Sequence, residues 1–252
     1  MISIHHSCKI FWQFPLLLLL LQGVPSGAVG QKTNPGISLI YGVSYQNIPL
    51  GRVYYQLQQT ALQWQVTSRT EPNLLASLSS HSKRQEITSF QWDQSGLKPL
   101  RVDIADYRSA DTKILVDWSQ QKVYFPNQRT ATIPQGPLYT TMALVYGIAF
   151  NPPTPLKPGK RLAILSEKTI EIYTVEKIKN NQLQVKAGTF DSTQVRAKRL
   201  GVAGDWIDLW LSNDVVPMIV RLDKYRRNKR TRFELYKYRN WPPKQPISQT
   251  KP

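Results

Sequence analysis

The sequence predicts a mainly β fold: an antiparallel sheet with one main helix packed against its concave face. Three observations carry that prediction. Apolar and polar residues alternate through most of the chain, short clusters rich in Pro, Gly and Asn separate the alternating runs, and one segment repeats its apolar residues at helical spacing. With 252 residues, 41% of them hydrophobic, the chain suits one sizeable domain.

The first element is not part of that domain. A weakly basic start, an apolar run from Ile10 to Leu21 and the small residues Ser26, Ala28 and Gly30 form the pattern of a cleaved secretory signal peptide over residues 1–30. The run has twelve residues, short of the roughly 20 needed to cross a bilayer as a helix. No comparable run follows, so no transmembrane span is expected after cleavage. Residues 31–240 then form a single β-rich domain, and residues 241–252, which lack apolar periodicity, a disordered C-terminal tail.

Strand signals follow in order. Val53, Tyr55 and Leu57 alternate with Tyr54, Gln56 and Gln58, and Leu62, Trp64 and Val66 alternate with Gln63 and Gln65. Similar runs lie in EITSFQW, LRVDIADY, TKILVDW, KVYF, RLAIL, TIEIYTVEKI, LQVKAGTF, DWIDLWL, VVPMIVRL and RFELYKY. QNIP, DQSGLKP, SQQ, PGK, KNNQ and LSND read as the connections. PNLLASL, opened by Pro72, reads as a brief helix.

The main helix is expected from Pro137 to Phe150. Leu138, Met142, Val145 and Ala149 follow one helical face, and Tyr139, Ala143, Tyr146 and Phe150 an adjacent one. The prolines of NPPTP end it. A helix apolar around most of its circumference must be covered, so Leu138, Met142, Val145 and Tyr146 are candidates either for plain core packing or for contact with, or a lid over, an apolar ligand.

Composition excludes several chemistries. The chain holds one Cys and three His, and Cys8, His5 and His6 all fall in the leader, so the mature chain keeps only His81. A disulfide, a Cys nucleophile and a thiolate zinc site are thereby ruled out. His81 stands in the polar stretch SSHSKRQ, where a solvated loop position is expected. Paired carboxylates for glycoside hydrolysis have candidates in Asp103, Asp106, Asp117, Asp205, Asp208 and Glu234, but these are expected at strand ends or outer positions. No phosphate-cradling glycine loop is present, and nothing in the sequence calls for a cofactor or metal. The chain reads as a non-enzyme.

Charge is the remaining signal. There are 33 Lys and Arg against 16 Asp and Glu, a net charge of +17. From Arg221 to Pro252 eleven basic residues oppose only Asp223 and Glu234. Within KYRRNKRTR, Arg226, Arg227, Lys229, Arg230 and Arg232 are expected at a hairpin tip between two strands, as a contact for anions or as a solvated turn. Basic residues interleaved with Tyr225, Phe233, Tyr236, Tyr238 and Trp241 would suit nucleic acid in a cytoplasmic protein. The leader argues against that partner and leaves anionic lipid, lipopolysaccharide or acidic glycan.

Ser212, Asn213 and Asp214 suit a tight turn, with Trp210 and Val215 pinning the strands that leave it. Asp214 has no nearby carboxylate or His with which to act as an acid or base. Gly188 marks a bulge or a close backbone approach.

Taken in order, YGVSYQNIPLGRVYYQLQQ, LRVDIADYRSADTKILVDWSQQKVYF, the helix and PGK turn, VKAGTFDSTQVRAK and WIDLWLSNDVVPMIVRL resemble the bacterial domain of unknown function 3108 over Ile37 to Tyr238. Its most specific elements here are Gly188, Thr189 and Phe190, then Trp210 to Asp214 followed by Pro217. The resemblance implies an exported envelope protein with a LolA-like open or half barrel, a helix filling its concavity, and no established reaction. The basic C-terminal segment departs from that pattern. Two functions follow as expectations: a periplasmic binding module for an apolar or lipid-like ligand, or an envelope interaction protein docking to an anionic surface or glycan through its basic hairpin.

Overall fold

The computed structural model describes residues 36–240 except 61–62, 79–82, 94–95, 107–109, 142, 151–156 and 215–216. The expected leader, the expected tail, His81, Met142 and Val215 lie outside the described residues. Those described fall within one compact unit, Thr33–Pro252.

The chain forms strands β1 (Ile37–Tyr45), β2 (Ile48–Gln59) and β3 (Trp64–Pro72), then the short helix α1 (Leu74–Leu78). It continues through β4 (Arg84–Asp93), β5 (Gly96–Asp106), β6 (Thr112–Asp117), β7 (Lys122–Tyr124), β8 (Thr130–Thr132) and β9 (Leu138–Thr140) to a second helix, α2 (Leu144–Phe150). Six strands complete it: β10 (Arg161–Leu165), β11 (Ile170–Val185), β12 (Gly188–Arg199), β13 (Trp206–Ser212), β14 (Ile219–Arg226) and β15 (Lys229–Arg239).

All 15 strands form one sheet in the order β8-β7-β6-β5-β4-β3-β2-β1-β15-β14-β13-β12-β11-β10-β9. Two meanders are therefore joined at the middle by pairing of the first and last strands. Every neighbouring pair is antiparallel except β9 with β10, which is parallel.

Topology alone forces this sheet to curl. Its two edge strands, β8 and β9, are consecutive in sequence and separated only by residues 133–137. Laid flat, they would stand about 65 Å apart at the usual strand spacing, whereas five extended residues reach about 20 Å at most. The sheet stays open, because β8 and β9 are not hydrogen-bonded neighbours. Burial shows how the edges meet. Leu162 and Ile164 of β10 belong to the main core, while Ala163 and Leu165 on its opposite face belong to a second core with Val102, Ile104, Ile114 and Val123. One edge region packs face to face on the other instead of pairing with it.

The alternation read from sequence places the core. Leu39 and Tyr41 of β1, Val53, Tyr55 and Leu57 of β2, Val66 of β3, and Ile207 and Leu209 of β13 are buried in the main cluster. Hairpin chemistry is as expected at QN, where Gln46 and Asn47 take the left-handed conformation of a two-residue turn, and again at Arg227 and Asn228. Asn73 caps α1 through its side chain, accepting from the Ala76 amide at 2.8 Å.

Gly51 is required by its surroundings. Its φ is +141°, and a Cβ there would lie 2.2 Å from the Glu71 carbonyl oxygen on β3. Gly51→Ala is expected to lower stability by about 1–3 kcal/mol, read as a shift in the urea midpoint.

Three expectations are corrected. The helix expected from Pro137 begins only at Leu144, and Leu138–Thr140 form β9 instead. Its three residues are all buried, so a run apolar on both faces carries no period by which to tell strand from helix. KNNQ is not a connection but the middle of the 16-residue strand β11. There Asn180 and Asn181 accept cross-strand hydrogen bonds from Thr193 and Ser192, and the turn falls later, at Lys186 and Ala187. Gly188 is neither a bulge nor a close approach: it pairs with Val185 in regular register, and its φ of +140° is what calls for glycine.

Candidate functional site

A cleft of about 550 Å³ opens where β4, β5 and β6 face the β10–β11 turn, β12 and β14. Its charged wall is built by extending inward-facing strand rows past the core. On β4, Phe90 is core, and Thr88, Glu86 and Arg84 continue its row. On β11, Val175 and Tyr173 are core and Glu171 is next. Arg199 follows Val195 and Ala197 on β12, and Lys224 and Arg226 follow Leu222 on β14. Val102, Ile104, Ile114 and Leu165 supply an apolar side.

The charged groups form one network. Arg226 donates to Glu171 and, at 2.5 Å, to Asp205. Arg199 donates to Asp205 at 3.2 Å and lies 3.7 Å from Glu171. Tyr173 donates its hydroxyl to Glu171 at 2.9 Å. Burial alone would raise the Glu171 carboxyl, but Lys224, Arg226 and the Tyr173 hydrogen bond hold it below its ordinary value. Glu86 behaves oppositely: burial pushes it up to about 7, against the pull of Arg84 and Thr88 and with Glu167 adding to the rise. Arg84 joins the two carboxylates, bonding Glu167 and, at 3.3 Å, Glu86. Burial lowers the Lys224 ammonium, with Glu171 opposing.

Sequence reasoning missed this site, since its residues come from eight strands and a turn far apart in the chain. A signal was present for Glu171, which shares the phase of Tyr173 and Val175 in EIYTV and so is a charge on an otherwise apolar face, whereas Glu86 shares the phase of Phe90 in EITSF with only Thr88 between them. Asp205 stands just before β13 and Asp208 on its outer face, as expected, and both are nevertheless buried. Asp208 faces Asp223 directly across β13 and β14 on the outer face, where Arg196 holds one and Arg221 and Arg232 the other. Among the described residues no group of three or more His, Cys, Asp or Glu is placed to hold a metal ion.

The residues singled out from sequence are placed as follows. Val145 and Tyr146 of α2 are buried in the main core, Tyr146 donating its hydroxyl to the Ile37 carbonyl at 3.1 Å, while Leu138 lies in the second core. The structure therefore separates Leu138 from the other two. The basic run does form a hairpin, β14 to β15, but its cations have different surroundings. Arg226 is committed to Glu171 and Asp205, Arg232 to Asp223, and Arg230 to Asn47 with Asp223 at 3.9 Å. Arg227 and Lys229 are exposed, with no side-chain partner among the described residues. Asp214 is exposed, and β13 and β14 are joined across Ser212 and Met218 and not by a tight turn at Ser212–Asp214, the Ser212 hydroxyl accepting from the Met218 amide at 2.9 Å. Trp210 lies beneath the Arg221 guanidinium, 4.6 Å from the ring centre, and Pro217 is half-buried.

This division predicts separable effects. Arg226→Gln is expected to cost about 2 kcal/mol, since it takes from the buried Glu171 and Asp205 the closer of the two arginines they share. The pair Arg227→Gln and Lys229→Gln should melt within about 0.5 kcal/mol of the parent. Thermal denaturation of both variants checks this.

No family model matches the chain, and no curated protein matches it. Among solved structures it is similar to the β-barrel-like protein of domain of unknown function DUF1849 from Brucella abortus, at 11% identity over 81% of this chain and 96% of that one, with a TM-score of 0.53. A candidate exported protein with a YmcC-like fold from Bacteroides fragilis shows 10% identity over 82% and 96% of the two chains, with a TM-score of 0.34. A candidate outer membrane lipoprotein-sorting protein domain from Vibrio parahaemolyticus shows 10% identity over 81% and 84%, with a TM-score of 0.18. The first likeness shows a shared β-barrel-like fold, and the other two are too distant to establish one. Among the described residues no helix is long and apolar enough to cross a membrane.

Proposed function

We propose that the chain is an exported, non-catalytic binding module whose cleft receives an apolar or lipid-like ligand, with α2 filling the concave side of the curled sheet. The observation that carries this reading is the cleft itself. Its volume of about 550 Å³ lies within the range of small-ligand sites, roughly 300–1,000 Å³. One side is apolar, and the other concentrates charges that the fold has buried at some cost. The leader pattern supports an envelope location, and Val145 and Tyr146, buried in the main core, then serve as packing and not as a lid.

Incubation of the purified protein with phospholipid vesicles, followed by native mass spectrometry, is expected to show one retained lipid per chain. Ile104→Arg, which places a charge on the apolar side, should abolish retention. Absence of any retained lipid from the parent protein counts against the reading.

A second reading, docking to an anionic surface through the basic hairpin, is supported by Arg227 and Lys229 alone, since the remaining arginines of the tip have carboxylate or amide partners. Neutralising these two without loss of binding to anionic vesicles excludes it.

A further inference from the structure

We propose that the cleft is an anion-headed amphiphile site, in which Lys224 and Arg84 receive a carboxylate or phosphate head group while the chain lies against Val102, Ile104, Ile114 and Leu165. This rests on the binding-module reading and specifies the ligand's chemistry.

Charge and donor supply in the cleft point to this ligand. Five cations, Arg84, Lys168, Arg199, Lys224 and Arg226, line the cleft against three carboxylates, Glu86, Glu167 and Glu171. Asp205, behind the wall, is already shared by Arg199 and Arg226. Those two arginines are thus satisfied within the protein. Lys224 is not: its closest carboxylate oxygen, on Glu171, is 3.8 Å away, beyond hydrogen-bond reach, and its side chain is only 25% exposed. Arg84 has one donor to spare as well, because its Nε finds no acceptor among the described residues. A half-buried ammonium and an under-used guanidinium facing a cleft with surplus positive charge are completed by an incoming anion, to which charge-assisted hydrogen bonds are the strong ones. The apolar residues lining the same cleft then select among anions for those that carry a hydrocarbon chain.

The test uses four probes that share one chain and differ in the head: dodecyl phosphate, dodecanoate, dodecyl maltoside and dodecyltrimethylammonium. Each is titrated below its micellar concentration into the full chain by calorimetry at low salt, with inorganic phosphate as a fifth arm. Both anionic probes are expected to bind at least tenfold more tightly than the maltoside, with the cation weakest, and the better anionic probe identifies the head group as phosphate or carboxylate. Lys224→Gln should remove most of that preference. Lys168→Glu, at an exposed loop position where the fold is not at risk, should lower the preference by a smaller factor, which keeps the test decisive if Lys224→Gln folds poorly. Equal binding of the anionic and neutral probes overturns the inference and leaves the binding-module reading standing. Binding of phosphate alone, with no amphiphile bound, keeps the anion site and removes the apolar part of both. Failure of every probe removes both.

Discussion

Asp223→Ala is expected to lower the stability of the fold by about 3 kcal/mol, a fall in melting temperature of about 6–12 °C for a domain of this size. The carboxylate is 1% exposed and accepts paired hydrogen bonds from Arg232, both at 2.9 Å, and from Arg221 at 3.2 and 2.9 Å. Arg230 stands 3.9 Å away. Removing it leaves three guanidinium groups, all largely covered, crowded around an uncompensated gap. One term opposes the loss, since Asp208 lies directly across from Asp223 and its repulsion disappears. The value is therefore set at the low end of what breaking a buried charge network costs. Asp191→Asn, at an exposed position, serves as the comparison and should stay within about 0.5 kcal/mol.

The second large effect is a pH dependence carried by Glu86. Burial raises this carboxyl from its ordinary 4.5 to about 7, so between those values the folded chain holds a proton that the unfolded chain has lost. Its contribution to stability is therefore fullest below about pH 4.5 and declines as pH rises towards 7. The groups facing it are Arg84 and Thr88 on its own strand, Glu167 from the β10–β11 turn and Tyr55 on β2, whose hydroxyl is pushed up by burial and then by the Glu86 charge. Arg84 does not offset the burial, since it is shared with Glu167. From pH 5 to pH 8 the parent protein is expected to lose about 2 kcal/mol more than Glu86→Gln, measured by urea unfolding at each pH. Equal slopes for the two proteins sink this account of Glu86.

Strands such as β2 were legible because Val53, Tyr55 and Leu57 point one way and Gln56 and Gln58 the other, a pattern that only a half-buried strand produces. β9 was not, because Leu138, Tyr139 and Thr140 are buried together between two cores and their partner, β10, pairs in parallel after a long excursion. The basic hairpin was legible as a hairpin, but its meaning was not. A count of charges from Arg221 onward cannot show that Arg226 reaches Glu171, 55 positions earlier in the chain, or that Arg230 reaches Asn47. The cleft was hidden for the same reason, with Arg84, Glu86, Glu171, Arg199 and Lys224 brought together only when the sheet curls. What the sequence did contain was the phase error, a glutamate in an apolar row, and such errors mark where a fold spends stability on something other than its core.

The most direct test of the central claim maps where a ligand binds. Titration of dodecyl phosphate into the isotopically labelled protein, followed by amide chemical shifts in NMR, is predicted to move Thr140, Thr141, Thr169 and Lys224 around the cleft and to leave Arg227, Asn228 and Lys229 in place. Shifts confined to the β14–β15 turn, with the cleft unmoved, would contradict the account and transfer the function to the basic tip.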